Sequence, residues 1–316
     1  MSCVVRRIAA QGGRRIEPVP YDATSLSDAA RYERPGGVYA AFGTWHDRAV
    51  IRLSDHFDRF EDSARRLGFE IGLDRALVRA ELCEMLESSG MEGARIRLSA
   101  HPEDFGPSVD RRATMRQGEG ARTLIAAIEP YAGPPRSQRE RGVTCATAPH
   151  AARDNPRAKQ TSWLAERARL AGAGGTGDGE PTTEEPYEWI LLSESGLMLE
   201  GSRTNFYAIT DAGQAGASNP GAGVELRTAG DGILHGISRS IVLDVAEDVV
   251  PLRLEAPRIR DLRTFREAFI TSASRGIVPV VRIDEVVIGD GAPGVTTREL
   301  IRRYDRRATE LEEPLC

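Results

Sequence analysis

The sequence predicts an α+β fold divided into two domains. Three observations carry that expectation. The chain has 316 residues, more than one small domain ordinarily holds. Strand-like and helix-like stretches follow one another in mixed order, which points away from a single doubly wound sheet. Residues 131–141, "YAGPPRSQRER", concentrate Pro, Gly and charge between two patterned halves and read as a linker. The expected division is residues 1–135 and 142–316, joined through 136–141.

In the first half, "CVVRRI" and "GVYAAFGT" are rich in small, aromatic and β-branched residues and read as strands. "RAVIRLS" alternates and reads the same way. In "SDHFDRFEDSARRLG", Phe57, Phe60, Ala64 and Leu67 share one helical face. Ser54 or Asp55 is placed to cap that helix and Gly68 to end it. A second helix is expected over 73–86, and strands over 94–100 and 123–130. In the second half, strands are expected at 188–193 and 204–210, a helix at 237–248, and strands in "EAFITSA" and "IVPVVRID". A last helix starts near Thr297. "GAGGTG" (172–177) matches a dinucleotide-loop spacing, but a helical pattern precedes it and "DGEPTTEEP" follows. A strand before and a helix after are required, so residues 171–186 read as a flexible surface insertion.

Composition narrows the function classes. The chain is 40% hydrophobic and 28% charged, as in ordinary soluble globular proteins. A net charge of −5 gives no electrostatic reason to expect nucleic acid or an anionic membrane. No apolar run approaches the roughly 20 residues needed to span a bilayer, and the N-terminus shows no signal-peptide core. Cys3, Cys83, Cys145 and Cys316 are widely separated. They are expected as thiols in a reducing, cytoplasmic compartment rather than as a disulfide framework. None of the five His pairs with another His or Cys at ligand spacing, so no metal is expected.

Four stretches could carry chemistry. Lys159 is the only lysine among 42 Lys and Arg residues. An amine condenses with an aldehyde to give a Schiff base, and a guanidinium does not. The alternative is a surface lysine retained by chance. Glu200 closes the apolar stretch of "LMLEGSRTNFYAI", where a carboxylate either faces inward or is solvated. In "ILHGISRSIVLDVAEDV", the amides of Ile237 and Ser238 open a helix. That makes either an anion site or a plain helix cap. In "FITSASRGIVPVVRID", small residues around Ala273 either admit a ligand to the backbone or form an ordinary turn.

Taken in order, these pieces resemble the class IV aminotransferases. The fold is shared by branched-chain aminotransferase, D-amino acid transaminase and aminodeoxychorismate lyase. The resemblance covers residues 36–303 and includes "GVYAAFGTW…RLSDHFDRFEDSARRLG", "AKQTSWL", "LMLEGSRTNFYAI", "ILHGISRSIVLDVA" and "EAFITSASRGIVPVVRID". It implies a two-domain fold-type IV enzyme with pyridoxal 5′-phosphate between the domains, transferring an amino group from an amino acid or amine to a 2-oxo acid in a homodimer. Lys159 would form the Schiff base and move the proton. Glu200 would pair with the pyridine nitrogen, and Arg59, Ile237, Ser238 and Ala273 would hold the phosphate. Arg97 would help hold the substrate carboxylate, and Tyr39 would line its pocket. Three positions depart from the family pattern: His235 stands for Pro, Ala273 for Thr, and Leu164 for the Tyr of branched-chain enzymes. A lyase resembling aminodeoxychorismate lyase, or a non-catalytic homologue that binds the cofactor, would use the same residues.

Overall fold

A computed structural model describes residues 3–13, 16–104, 123–133, 136–173, 186–212 and 223–316. Its contacts divide the chain into two units. The first comprises Met1–Gly133, Ala158–Ala165 and Leu311–Cys316, and the second Pro134–Arg157 and Glu166–Glu310. The segment carrying Lys159 and the C-terminal residues thus belong with the first unit, unlike the expected cut at 136–141. Contacts override sequence order here because residues 159–161 pair with a strand of the first unit.

The first unit contains strands β1 (Val4–Ala9) and β2 (Glu17–Pro18), helix α1 (Leu26–Ala29) and strands β3 (Val38–Gly43) and β4 (Ala49–Ile51). Helices α2 (Leu53–Arg66) and α3 (Arg75–Ser89) follow, then strands β5 (Ala94–Ala100) and β6 (Thr123–Pro130). Its sheet runs β2-β1-β6-β5-β3. On α2, Leu53, Phe57, Phe60 and Ala64 are buried, the i, i+4, i+7 stripe a core-facing helix needs. On α3, Val78, Leu82, Met85 and Leu86 are buried, and Glu81 accepts the Ala9 N–H at 2.6 Å.

The start of α2 corrects an expectation. Neither Ser54 nor Asp55 caps it. Arg52 occupies the cap position with φ 50° and makes no side-chain cap bond. The orphan N–H of Ser54 donates instead to the Glu313 carboxylate at 3.1 Å. Glu313 lies in strand β16 (Glu312–Pro314), which pairs antiparallel with β4. Cys316 beside it is disulfide-bonded to Cys83 on α3, with Cα atoms 5.2 Å apart. The expectation of four separate thiols therefore fails for that pair. Sequence spacing hid it, because 233 residues separate the two. Cys3 and Cys145 are free and buried. Cys83, Glu87 and Cys316 bring ligand-type atoms within 4.8 Å of one another, but bonded sulfurs are not the thiolates a metal needs.

The second unit contains α4 (Arg136–Arg141), β7 (Val143–Ala148), most of α5 (Trp163–Ala173), β8 (Glu188–Leu192), β9 (Met198–Gly201), β10 (Asn205–Asp211) and β11 (Val224–Arg227). Helix α6 (Ile237–Ala246) and strands β12 (Leu252–Arg253), β13 (Glu267–Ser272), β14 (Gly276–Ile283) and β15 (Val286–Val287) follow, and α7 (Val295–Glu310) completes it. The expected linker stretch 136–141 is thus helical. Most of the expected insertion at 171–186 lies outside the described residues.

The strands run β12-β11-β10-β13-β14-β7-β8-β9, and β9 also pairs with β10. Six strands therefore close on themselves, and the pairing that closes them is Asn205 opposite Glu200. Side chains alternate along β10. Phe206 and Ala208 enter one core with Cys145, Ile190, Met198, Ile270 and Val278. Tyr207, on the other face, stacks on Phe269 with ring centroids 4.5 Å apart. Among the described residues, no helix is long and apolar enough to cross a membrane.

Candidate active site

Residues 159–161 lie along the free edge of β3. The Tyr39 N–H donates to the Lys159 carbonyl at 2.9 Å, and the Thr161 N–H to the Gly37 carbonyl at 2.9 Å. The Lys159 N–H donates to the Ser63 hydroxyl on α2 at 3.1 Å. Ser63 in turn donates to the Arg59 carbonyl at 2.7 Å. One hydroxyl thus couples the lysine segment to the helix turn that carries Arg59. The Lys159 amine stands 4.5 Å from the centre of the Tyr39 ring, and the residue is half-buried.

Two neighbours of Lys159 are unusual. Burial pulls the Arg59 guanidinium down to about 10, against the opposing pull of Tyr39 and Asp55. His56, one turn earlier on α2, is 1% exposed and tilts against Phe42 with ring centres 4.9 Å apart. Burial, then Arg59 and Lys159, hold it well below the usual histidine value. It is a neutral imidazole whose buried Nδ1 makes no hydrogen bond.

Arg97 stands diagonally across from Tyr39, because β3 and β5 pair Tyr39 with Ser99 and Ala41 with Arg97. Its guanidinium stacks 3.6 Å from the Tyr39 ring centre. Its Nε donates to Glu33 Oε1 at 2.6 Å, and Nη2 donates to the other oxygen. The structure therefore brings Tyr39, Arg59, Arg97 and Lys159 together in the first unit, and adds Ser63, His56 and Glu33. Those three gave no signal in the sequence reading. Ser63 and His56 share the α2 stripe with Arg59, where they could have been sought. Glu33 lies 64 residues from its partner, and no local pattern links them.

In the second unit, Glu200 is 2% exposed. Its Oε1 lies 3.1 Å from Arg153 Nε, whose side chain is 5% exposed. Its Oε2 accepts the Leu234 N–H at 3.1 Å. The Leu234 carbonyl accepts from the Asn205 amide at 2.8 Å. The Leu234 backbone is therefore held through both its N–H and its carbonyl by the two residues that close the barrel. A tight turn joins those residues, with the Gly201 N–H donating to the Thr204 carbonyl at 2.8 Å. A Cβ at Gly201 would strike Thr204 and Glu188.

The clamped Leu234 leads directly into α6. Gly236 is its cap residue and makes no side-chain bond, and a Cβ there would strike Asn205 Oδ1. The first-turn amides of Ile237 and Ser238 have no intrahelical acceptor and point to where an anion is favoured. The Ser238 hydroxyl accepts from Tyr304 at 2.9 Å. Ala273 lies half-buried in the turn between β13 and β14, beside Ser272, whose hydroxyl accepts from Arg275 Nε at 3.1 Å. His235, in the place of the expected Pro, faces Arg157 at 2.7 Å. Arg153 and Asn205 complete the set. Arg153 sits in the same stretch as Lys159, yet nothing there marked it as a partner of Glu200.

These groups have definite chemical capacities. A carboxylate oxygen accepts more than one hydrogen bond, so Glu200 can take a ring N–H beside the partners it already holds. The start of α6 suits a phosphate. Lys159 is a nucleophilic amine beside an aromatic face.

Similarity to known proteins agrees. Residues 38–283 match the family described as Amino-transferase class IV. The chain is 30% identical over 276 residues to D-alanine aminotransferase of Staphylococcus aureus (strain MW2), spanning 85% of this chain and 87% of that one. It is 27% identical over 271 residues to branched-chain-amino-acid aminotransferase-like protein 1 of Arabidopsis thaliana, spanning 84% of this chain but only 45% of that one. The fold matches a T.th. branched-chain amino acid aminotransferase crystallised with pyridoxamine 5′-phosphate, with a TM-score of 0.71, 20% identity and 98% of each chain covered. A family match over that span, on a chain whose sole lysine is anchored beside Tyr39, means that the protein belongs to the class IV aminotransferases, enzymes that work with pyridoxal 5′-phosphate.

Proposed function

We propose that this enzyme moves an amino group from an amino acid or amine to a 2-oxo acid, with Lys159 as the covalent attachment point of the cofactor. Lys159, with its backbone N–H held by Ser63 and its amine set over Tyr39, carries the reading. The residues present fit the cofactor. The α6 cradle is bare of a side-chain cap and admits no Cβ at Gly236, and the buried Glu200 carboxylate has the capacity to accept a ring N–H.

When bound, pyridoxal 5′-phosphate supplies an aldehyde and an electron-accepting ring. Lys159 would be its covalent attachment point, and, once displaced by the substrate's amine, the freed Lys159 amine would carry a proton from substrate Cα to the carbon two bonds away. Glu200 would hold the pyridine nitrogen protonated, and Arg153 holds the Glu200 carboxylate in place. Arg59, the Ile237 and Ser238 amides and the Ala273 turn are the groups that would hold its phosphate. Tyr39 lines the substrate pocket.

The same reading makes the protein a cytoplasmic homodimer, supported by its family membership.

Borohydride reduction followed by peptide mapping should leave a pyridoxyl group on the peptide containing Lys159. A panel of amino donors should then convert the bound cofactor to its amine form, seen by absorbance. An unlabelled Lys159 overturns the reading. Pyruvate released without any acceptor would assign a lyase instead.

A further inference from the structure

The cation nearest the Tyr39 ring is already engaged. Arg97 meets Glu33 fork to fork, through Nε to Oε1 at 2.6 Å and Nη2 to Oε2. Both side chains are 8% exposed. Burial pulls the Arg97 guanidinium down, but its bonds and charge pairing with Glu33, and the nearby Tyr39, raise it overall above the ordinary arginine value. Glu33 is itself walled by aromatic groups. It lines one cleft with Tyr21, Tyr32, Ser99 and Ile125, and Tyr21 stacks on Tyr32 at 3.9 Å. On its other side, Arg97 lies 3.6 Å from the Tyr39 ring centre, the ring over which the Lys159 amine stands at 4.5 Å. The ion pair and the reactive amine therefore share one aromatic ring as a neighbour.

Bidentate pairing uses the face of arginine that a substrate carboxylate would need. For Arg97 to turn to a substrate, Glu33 would be left as a buried carboxylate without its partner, which is strongly unfavourable. We propose that Glu33 is a specificity-determining positioning residue: by holding the Arg97 fork it makes this part of the pocket electrically neutral and selects against substrates with a second carboxylate. The enzyme then prefers monocarboxylic amino acids and oxo acids with uncharged side chains over dicarboxylic ones. This rests on the transaminase reading, because it takes the surroundings of Tyr39 and Lys159 as the substrate pocket.

The test compares charged and uncharged probes of matched length. Calorimetry measures binding of glutarate and of pentanoate to the holoenzyme, with no turnover required. Half-transamination of glutamate and glutamine, in whichever enantiomer reacts, gives kcat and KM separately. In the wild type, pentanoate should bind more tightly than glutarate, and glutamine should react with the higher kcat/KM. Glu33→Gln should tighten glutarate about tenfold, the scale of one charge-assisted hydrogen bond. It should lower KM for glutamate by a similar factor, leaving pentanoate unchanged. In the double variant E33Q/R97Q that gain should vanish.

An unchanged glutarate-to-pentanoate ratio in Glu33→Gln overturns the proposal, as does a gain that survives in the double variant. Should the variants not fold, the wild type decides: glutarate binding as tightly as pentanoate overturns it. The two readings fail separately. If no donor converts the cofactor, the transaminase reading falls, while the binding ratio still decides the role of Glu33.

Discussion

The Lys159 N–H donates to the Ser63 hydroxyl at 3.1 Å, and the same hydroxyl donates to the Arg59 carbonyl at 2.7 Å. The amine-bearing segment and the helix that presents Arg59 therefore share one side-chain bridge. Ser63→Ala removes it and leaves a buried N–H and a carbonyl one partner short. We expect a loss of about 1–2 kcal/mol. The readouts are the denaturant midpoint and the rate at which cofactor is lost on dialysis, both against wild type.

His56 predicts an acid-sensitive fold. Its folded-state value lies well below the ordinary histidine value of 6.5, through burial and the nearby cations Arg59 and Lys159. The unfolded chain therefore binds a proton there first as pH falls. Stability is unaffected above about pH 7 and declines below 6.5, by up to about 1.4 kcal/mol per pH unit from this one group. Urea unfolding between pH 5 and 8 should show that slope in the wild type and a shallower one in His56→Phe. Equal slopes would remove His56 as the cause.

Arg153 and Glu200 form an ion pair with side chains 5% and 2% exposed. Arg153→Met strands a buried carboxylate, and breaking such a pair costs about 3–5 kcal/mol. Thermal unfolding should show a clear drop. The absorbance of bound cofactor should also shift, because the carboxylate proposed to face the pyridine nitrogen loses its fixed orientation. A normal spectrum in a folded variant would argue against that role.

The Cys83–Cys316 bond closes a loop across 233 residues. Chain-entropy arguments assign such a bond about 5 kcal/mol at most. Cys316→Ser, or reductant added to the wild type, should lower the unfolding midpoint by the same amount, and reductant should do nothing further to the variant. Because Glu313 caps α2 three residues away, loosening this end should also reduce the affinity for inorganic phosphate or cofactor at Arg59.

What was legible in the sequence was local. Strands at 94–100 and 123–130 are found there, because alternation and β-branching act over a few residues. The α2 stripe and the Gly68 stop were likewise visible. What was hidden depends on distant partners. The true cap of α2 is Glu313 rather than Ser54 or Asp55, since strand pairing delivers a carboxylate from 259 residues away. The Glu33 partner of Arg97 was hidden, because nothing near Arg97 in sequence announces it. The barrel closure between Glu200 and Asn205 is local in sequence, yet its meaning needs the other strands of the barrel.

The seam between Glu200 and Asn205 bears on protein engineering. A library that randomises either position to retune the electronic environment of the ring also loosens the hold on the Leu234 backbone that leads into α6. Dead clones from such a library will include many that never folded. Screening for soluble yield before screening for colour would separate the two kinds of failure.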